Sequence, residues 1–444
     1  MIFKKIFRYS VFLSLFLFFI GIMGFGAILK YHYEGGKKFQ FLQKSVITIS
    51  SVPFNIKQMI VKKDFKIDKP PILFKHKNKK RFESYIPNTR NALLVLPRYD
   101  HNISRSVVDI IDLNNFETIH SYKHDIDAMN NQVKNLLEYP KLKIDDASYR
   151  FEYRHPLLLS DGSLISDSEY SVEFKIDFCS KLLWINDEER FHHSKMMDHE
   201  GNIWLGGQMN PKSKYVKEFA TKASDDSIIK MNTDGVILYN KSVSEILIEN
   251  KIFDLNHSEN NLDPIHLNDI EPAFNNTKYW LQGDLFISIR GQSAIIHYRP
   301  TTNKVINYLS GPFSQQHDVD IISEKEISIF NNNNFLIDND YSEILIYNFE
   351  TEKYRSVFKD QLKKEEFKTI TQGLSHIFSD GALMIEEQNH GRIILFNKKG
   401  KKEWEFVNKD ENDDIGFVSW SRVIEDEIFI EKFKSLIKNN KCLK

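Results

Sequence analysis

The chain has 444 residues, 41 % of them hydrophobic and 27 % charged, with 60 Lys and Arg against 61 Asp and Glu. That is enough for one large globular domain or two ordinary ones, and a net charge of −1 excludes both a basic nucleic-acid footprint and an acidic tail. Only two cysteines occur, Cys179 and Cys442, which excludes a zinc ribbon and a disulfide scaffold. They are read as unpaired thiols, with a single bridge as the alternative in an oxidising compartment.

Residues 11–29 (VFLSLFLFFIGIMGFGAIL) carry no charge and are long enough to span a bilayer. Lys4, Lys5 and Arg8 precede them and favour an N-terminus on the cytoplasmic side. A cleaved signal peptide would have a shorter apolar region and a small-residue cleavage site, so the stretch is read as an uncleaved anchor. This predicts a single-pass protein of the inner (plasma) membrane with its body on the periplasmic or extracytoplasmic side. Residues 1–31 are then the anchor or signal segment, 32–85 a juxtamembrane region, and 86–444 the body. Within the juxtamembrane region, 39–61 has the spacing of an amphipathic helix that Pro53 would kink. The basic run 75–81 (KHKNKKR) reads as a solvated loop rather than a lipid contact.

From Asn91 the pattern is one of short β-strands, with a hairpin around Asn114 and Asn115. One interruption, 125–139 (DIDAMNNQVKNLLEY), has apolar residues near one helical face and is predicted helical, ending at Pro140. Beyond it a strand–turn–strand pattern recurs, starting at His155, His193, His266, His317 and His376, each followed by a second hairpin. With the opening unit at Asn91 this gives six four-stranded units. Meanders of ~40–60 residues mark a β-propeller, because one such sheet cannot bury both faces whereas radially packed sheets bury each other. The fold class is therefore predicted as all-β, a six-bladed β-propeller with an N-terminal transmembrane helix and one or two short accessory helices. The tail (IGFVSWSRVI, then IEKFKSLIKN) supplies a closing strand and a short helix.

The stretch 263–320 carries the sharpest chemistry. Strands are predicted at 266–273, 284–290, 293–298 and 305–309, and antiparallel pairing puts Arg290 beside His266 and Asn268 at one sheet edge. The next unit begins with His317 at the same edge. An Arg and two His on one rim suit a tetrahedral oxyanion, since a guanidinium fork matches two of its oxygens. His317 is the candidate nucleophile, because neutral imidazole is nucleophilic at pH 7. The plainer reading makes each His a partner of a turn carbonyl. His192 and His193 are adjacent and point to opposite strand faces; counting back from the next strand aligns His193 with His317 and selects it as the channel-facing member. Asn268, His192 and His376 are placed with the substrate-binding group, and His155 is read as a blade cap. There is no HExxH, P-loop, GxSxG or GxGxxG opening a helix, and no carboxylates cluster with the His at metal-ligand spacing.

The motifs HHSKMMDHEGNIWL (192–205), IHLNDI (265–270), LFISIRGQSAI (285–295) and QQHDVDII (315–322) resemble the arylsulfotransferases that work without a nucleotide sulfate donor. The resemblance covers roughly 150–400. It implies a six-bladed propeller with a channel site that moves a sulfuryl group from an aryl sulfate to a phenol by way of a sulfohistidine, without metal or organic cofactor. It further implies His317 as nucleophile, His193 and His266 as sulfate-binding imidazoles, and Arg290 as the sulfate-binding guanidinium. The chain departs from the soluble members in its anchor and in inserts at 212–223 and 250–263. Two other readings stay open from the residues alone: a non-catalytic exported propeller that binds an anion or a protein, and a propeller sulfate-ester hydrolase or lyase.

Overall fold

The computed structural model describes residues 2–33 and 70–442, apart from 71, 88–89, 140, 220–222, 253–261, 334–340 and 440–441. The chain divides into two compact units, Met1–Asp68 and Lys69–Lys444. Of the first, the helix Ile2–Tyr33 is described, and its segment Tyr9–Ile28 is long and apolar enough to cross a membrane. The amphipathic helix expected at 39–61 lies outside the described residues.

The second unit is an all-β, propeller-like body. Its strands alternate tight turns with antiparallel pairing, and the first and last segments interlock. Arg422–Ile424 pairs with Leu93–Asp100, which continues into Arg105–Asp112 and Glu117–Tyr122. Phe82–Ser84 in turn pairs with Lys402–Val407, at the edge of the sheet that runs through Arg392–Phe396 and Leu383–Glu387 to Leu374–Ile377. The tail thus closes the first sheet while the N-terminal strand extends the last. Two four-stranded meanders lie between them in sequence, Leu267–Pro272 to Lys304–Ser310 and Val319–Ser323 to Lys353–Val357.

The expectation of six separate four-stranded blades is not met. Among the described residues the strands form five sheets: three of four strands, one of five and one of seven. The seven-stranded sheet arises because Leu182–Met197 is one long strand, paired to Ser171–Ile176 along its first part and to Ile203–Gln208 along its second. The units read at His155 and His193 are therefore hydrogen-bonded into one sheet. Its two parts still bury a shared cluster, with Leu157, Ile165, Phe191, Ile203, Leu205 and Ile229 packed together. Other apolar clusters join neighbouring sheets. Leu94, Leu96, Met384, Ile393 and Trp404 pack in one, and Phe286, Ile295, Val319, Ile329 and Leu345 in another. Burial between sheets, at about 25 cal/mol per Å² of apolar surface removed from water, is what makes each sheet need its neighbour.

Three further expectations change. The helix predicted over 125–139 is only Ile126–Asn130, capped by Asp125, whose carboxylate accepts from the Ala128 N–H at 3.0 Å. Beyond it the amides of Lys134 and Asn135 donate to Asp187 Oδ2 (2.8 and 3.1 Å) instead of to the preceding turn, and Leu136 and Leu137 are exposed. The run 75–81 is tied to the last sheet: Lys75 and His76 bond the buried Glu387 (2.5 and 2.7 Å), and Lys79 pairs with Glu405. The two cysteines are not free: Cys179 and Cys442 form a disulfide. It ties the end of the chain back to the turn after Ser171–Ile176, beyond the predicted C-terminal helix, Glu427–Asn439.

Candidate functional site

The first strands of successive units share a backbone feature. His155, His193, His266, Gln315, Gln372 and Trp420 all have left-handed φ, between 37° and 64°. Register shifts accompany it at Arg154/Leu157, His192/Lys195 and Leu267/Asp269. A non-glycine residue at positive φ is costly, and a bulge re-aims its side chain; such positions collect at functional sites. The five repeated histidines are consequently not equivalent. His155, His193 and His266 occupy the left-handed position, whereas His317 follows Gln315 by two residues, as Asn268 follows His266. His376 lies further along its strand, beyond Gln372.

These turns bring imidazoles together. The His193 ring centroid is 5.4 Å from that of His266 and 6.4 Å from that of His317. Arg290 stands beside His266 as the pairing predicts, its N–H donating to the His266 carbonyl at 2.9 Å. Arg290 Nη2 donates to Gln315 Oε1 at 3.1 Å, and its buried Nε has no hydrogen-bond partner among the described residues. Burial pulls the Arg290 pKa down, against the charges of Asp263 and Tyr170.

Hydrogen bonds fix the tautomers. Asn332 Nδ2 donates to the carbonyls of Thr369 and Gln372, so its Oδ1 is the acceptor that meets His317 Nδ1 at 2.7 Å. His317 therefore carries its proton on Nδ1, and Nε2 holds the lone pair, which accepts the Gln372 N–H at 2.8 Å. His192 Nε2 donates to the Gly207 carbonyl at 3.2 Å, which leaves Nδ1 of a neutral His192 to accept from His193 Nδ1 at 2.7 Å. His193 then presents the Nε2 lone pair, and a proton shared by this pair would make the same nitrogen a donor. His266 Nδ1 donates to Asp263 Oδ2 at 2.5 Å, again leaving Nε2 outward. Burial pushes the pKa values of His193 and His317 well below the ordinary value, reinforced in each case by neighbouring positive groups, so both are neutral at pH 7.

Several residues here were not singled out from sequence. Arg154 is fully buried, paired with Glu152 and Glu169 (both 3.2 Å), and donates to the Gln372 carboxamide oxygen at 2.8 Å. Trp420 packs against His155, His193 and His317, with ring centroids 5.5, 6.0 and 6.3 Å away. Tyr170 lies on His192 at 5.1 Å. Counting the tail as one more unit would have found Trp420, which opens the closing strand. Asp263 ends an insert and has no repeat signal.

The remaining predicted residues divide. Asn268 is buried under the site; its Nδ2 holds the Gln316 carbonyl at 2.8 Å, next to His317. His192 backs His193. His376 is not brought to the imidazoles: it pairs with Glu425 at 3.4 Å and lines a separate cavity of about 390 Å³, with Asp269, Glu271, Asp318, Asp320 and Arg422. A cavity of about 300 Å³ borders the imidazole site through Tyr170 and Asp263, with Lys141, Arg190 and Leu262 on its walls. Among the described residues no group of His, Cys, Asp and Glu has the arrangement to hold a metal ion.

A family profile described as Arylsulfotransferase (ASST) matches residues 155–409. No curated protein matches the chain. Among solved structures, a protein of unknown function from Bacteroides caccae is 11 % identical, with a TM-score of 0.48 over 75 % of this chain and 99 % of that one. Virginiamycin B lyase from Staphylococcus aureus, solved as an inactive variant with quinupristin, is 12 % identical, with a TM-score of 0.34 over 57 % and 69 %. A streptogramin B lyase is 8 % identical, with a TM-score of 0.39 over 77 % and 97 %. Likenesses this distant carry no argument here.

Proposed function

Because the chain belongs to the arylsulfotransferase (ASST) family, we propose that its imidazole cluster moves a sulfuryl group from an aryl sulfate ester to a phenolic acceptor through a sulfohistidine at His317. The observation that carries this reading is the convergence of His193, His266 and His317 beside Arg290, with the His317 proton held on Nδ1 by Asn332.

In the first half-reaction His317 Nε2 attacks sulfur, the S–O bond to the aryl group breaks, and the phenolate leaves. Charge on the three sulfuryl oxygens is met first by the Arg290 guanidinium, with His266 beside it. The Gln372 N–H, now on Nε2, turns to a sulfuryl oxygen as the N–S bond forms. The acceptor phenol then attacks sulfur and returns the electron pair to Nε2. Burial keeps His317 neutral, which favours a free lone pair over a protonated ring.

The anchor (1–31), connecting region (32–85) and catalytic body (86–444) belong to the same proposal, with the body outside the inner membrane. The apolar helix Tyr9–Ile28 supports a tether, and the Cys179–Cys442 bridge supports an oxidising compartment. Incubating the full chain in detergent with 4-nitrophenyl sulfate and phenol tests the reaction. Phenyl sulfate should form, and nitrophenol release should depend on phenol. Inorganic sulfate without phenyl sulfate would make the protein a hydrolase, and no release of nitrophenol would leave a binding protein.

A further inference from the structure

The second half-reaction needs a group that takes the acceptor's proton, and the first needs one that protonates the departing phenolate. His317 serves neither end: its Nδ1 proton is on Asn332 and its Nε2 is the attacking atom. His193 is buried, with Nδ1 on His192. His266 differs from both. It is the one of the three with a carboxylate at hydrogen-bond distance, Asp263 at 2.5 Å, and its side chain is 22 % exposed. Burial raises the Asp263 pKa, but the His266 hydrogen bond and charge, with the Ser224 hydroxyl at 3.0 Å, bring it below the ordinary value, so the carboxylate is ionised. An ionised carboxylate on Nδ1 fixes which nitrogen faces outward and steadies the imidazolium formed when Nε2 gains a proton. Asp263 also lines the 300 Å³ cavity, with Tyr170 and Leu262 and with the charged Glu138, Lys141 and Arg190, and its volume admits a single aromatic ring.

We infer that Asp263 and His266 form the acid–base pair of the transfer, with Asp263 the positioning residue, and that the phenol reaches His266 by way of the cavity that Asp263 lines. The inference rests on the transferase reading above. As the donor ester is cleaved, the His266 Nε2 proton passes to the aryl oxygen while the S–O pair goes to that oxygen. As the acceptor attacks, its hydroxyl proton passes to the same nitrogen, the new O–S bond forms, and the N–S pair returns to His317. Titratable and charged groups facing this pair are His192, His193, His317, Asp226, Tyr170 and Arg290.

Leaving-group dependence tests the pair, because phenolate needs a proton more than 4-nitrophenolate does. With the full chain, Asp263→Asn should lose roughly 10²-fold more rate on phenyl sulfate than on 4-nitrophenyl sulfate, and Asp263→Glu should recover part of the difference. Wild type supplies a check that needs no variant to fold: its phenyl sulfate rate should fall more steeply with rising pH than its 4-nitrophenyl sulfate rate. Equal losses on the two esters, or parallel pH profiles in wild type, would overturn the acid–base pair and leave the transferase standing. Wild type that transfers sulfuryl from neither ester would overturn the transferase reading, and this inference with it.

Discussion

Asn268 and Asp269 are chain neighbours, as are His317 and Asp318, yet each pair is divided between two surroundings. The first member of each lies with the imidazoles and Arg290. The second lines the cavity of Asp269, Glu271, Asp318, Asp320 and Arg422. Trp420, fully buried, touches both regions, packing on His155 of the acidic cavity and on His193 and His317. Burial is the largest cause of the shifts of His193, His317, Asp269, Glu271, Asp318 and Asp320, and it works in opposite directions on the two kinds of group. It pushes His193 and His317 down, Asp269 and Asp320 up to about 7 and 6, and Glu271 and Asp318 well above the ordinary carboxylate range. Desolvation disfavours whichever form is charged. The guanidiniums remain as fixed charges: Arg290 beside the neutral His193 and His317, and Arg422, lowered to about 10, among carboxylates. An anion gains from the first setting and is repelled by any ionised carboxylate in the second.

If Trp420 keeps the two regions apart, Trp420→Ala should be the most damaging substitution. It should cost ~3–5 kcal/mol of stability, read by thermal or urea unfolding of the purified chain. A loss within the range of a surface substitution would mean that the indole is not the partition. Next in size, Arg290→Ala should lower kcat/KM for aryl sulfate by ~10²–10³, with both kcat and KM affected, since its charge acts on the bound ester and on the transition state. Activity equal to wild type would remove Arg290 from the anion site.

The opposite pKa shifts give a third, smaller effect. His317 has a folded pKa below its unfolded value of 6.5, so the unfolded state takes up protons first. Its contribution to stability is present above pH 6.5 and is lost as pH falls. Asp320 has a folded pKa of about 6 against 3.8 unfolded, so its contribution is present below 3.8 and is lost as pH rises towards 6. A tenfold change in proton affinity between the folded and unfolded chain is worth ~1.4 kcal/mol. His317→Asn should therefore flatten the acid side of a Tm-against-pH curve. Asp320→Asn should act in the other sense, removing a loss of stability that wild type suffers as pH rises from 3.8 to about 6. Curves parallel to wild type would contradict buried neutral groups. The smallest effect belongs to Glu271→Gln, which replaces a carboxyl that burial already pushes towards its neutral form and should shift stability by less than ~1 kcal/mol, with kcat unchanged.

Local pattern made much of the fold legible. The meander read at 266–309 is observed as Leu267–Pro272, Leu285–Ile289, Ala294–Arg299 and Lys304–Ser310, because alternating apolar residues and Gly and Asn turns specify strands directly. Placing Arg290 beside His266 followed from antiparallel register alone. What failed depended on partners distant in sequence. The charged run INDEER falls between the units that start at His155 and His193, but Arg190 and Phe191 pair with Gln208 and Gly207, which joins the two units into one sheet. The helix over 125–139 lost its later amides to Asp187. His376 recurs with the other histidines in sequence, but the turn of its unit is taken by Gln372. Asp263 and Arg154 entered the site by folding, with no spacing that announces them.

The central claim is that His317 carries the sulfuryl group. Wild-type chain incubated with 4-nitrophenyl sulfate and no acceptor, quenched rapidly in base and digested, should yield a His317 peptide heavier by one sulfuryl group; adding phenol before the quench should discharge it. The account predicts that increment in wild type and its absence in His317→Asn. Release of nitrophenol with an unmodified His317 peptide in wild type, and continued transfer by His317→Asn, would contradict it.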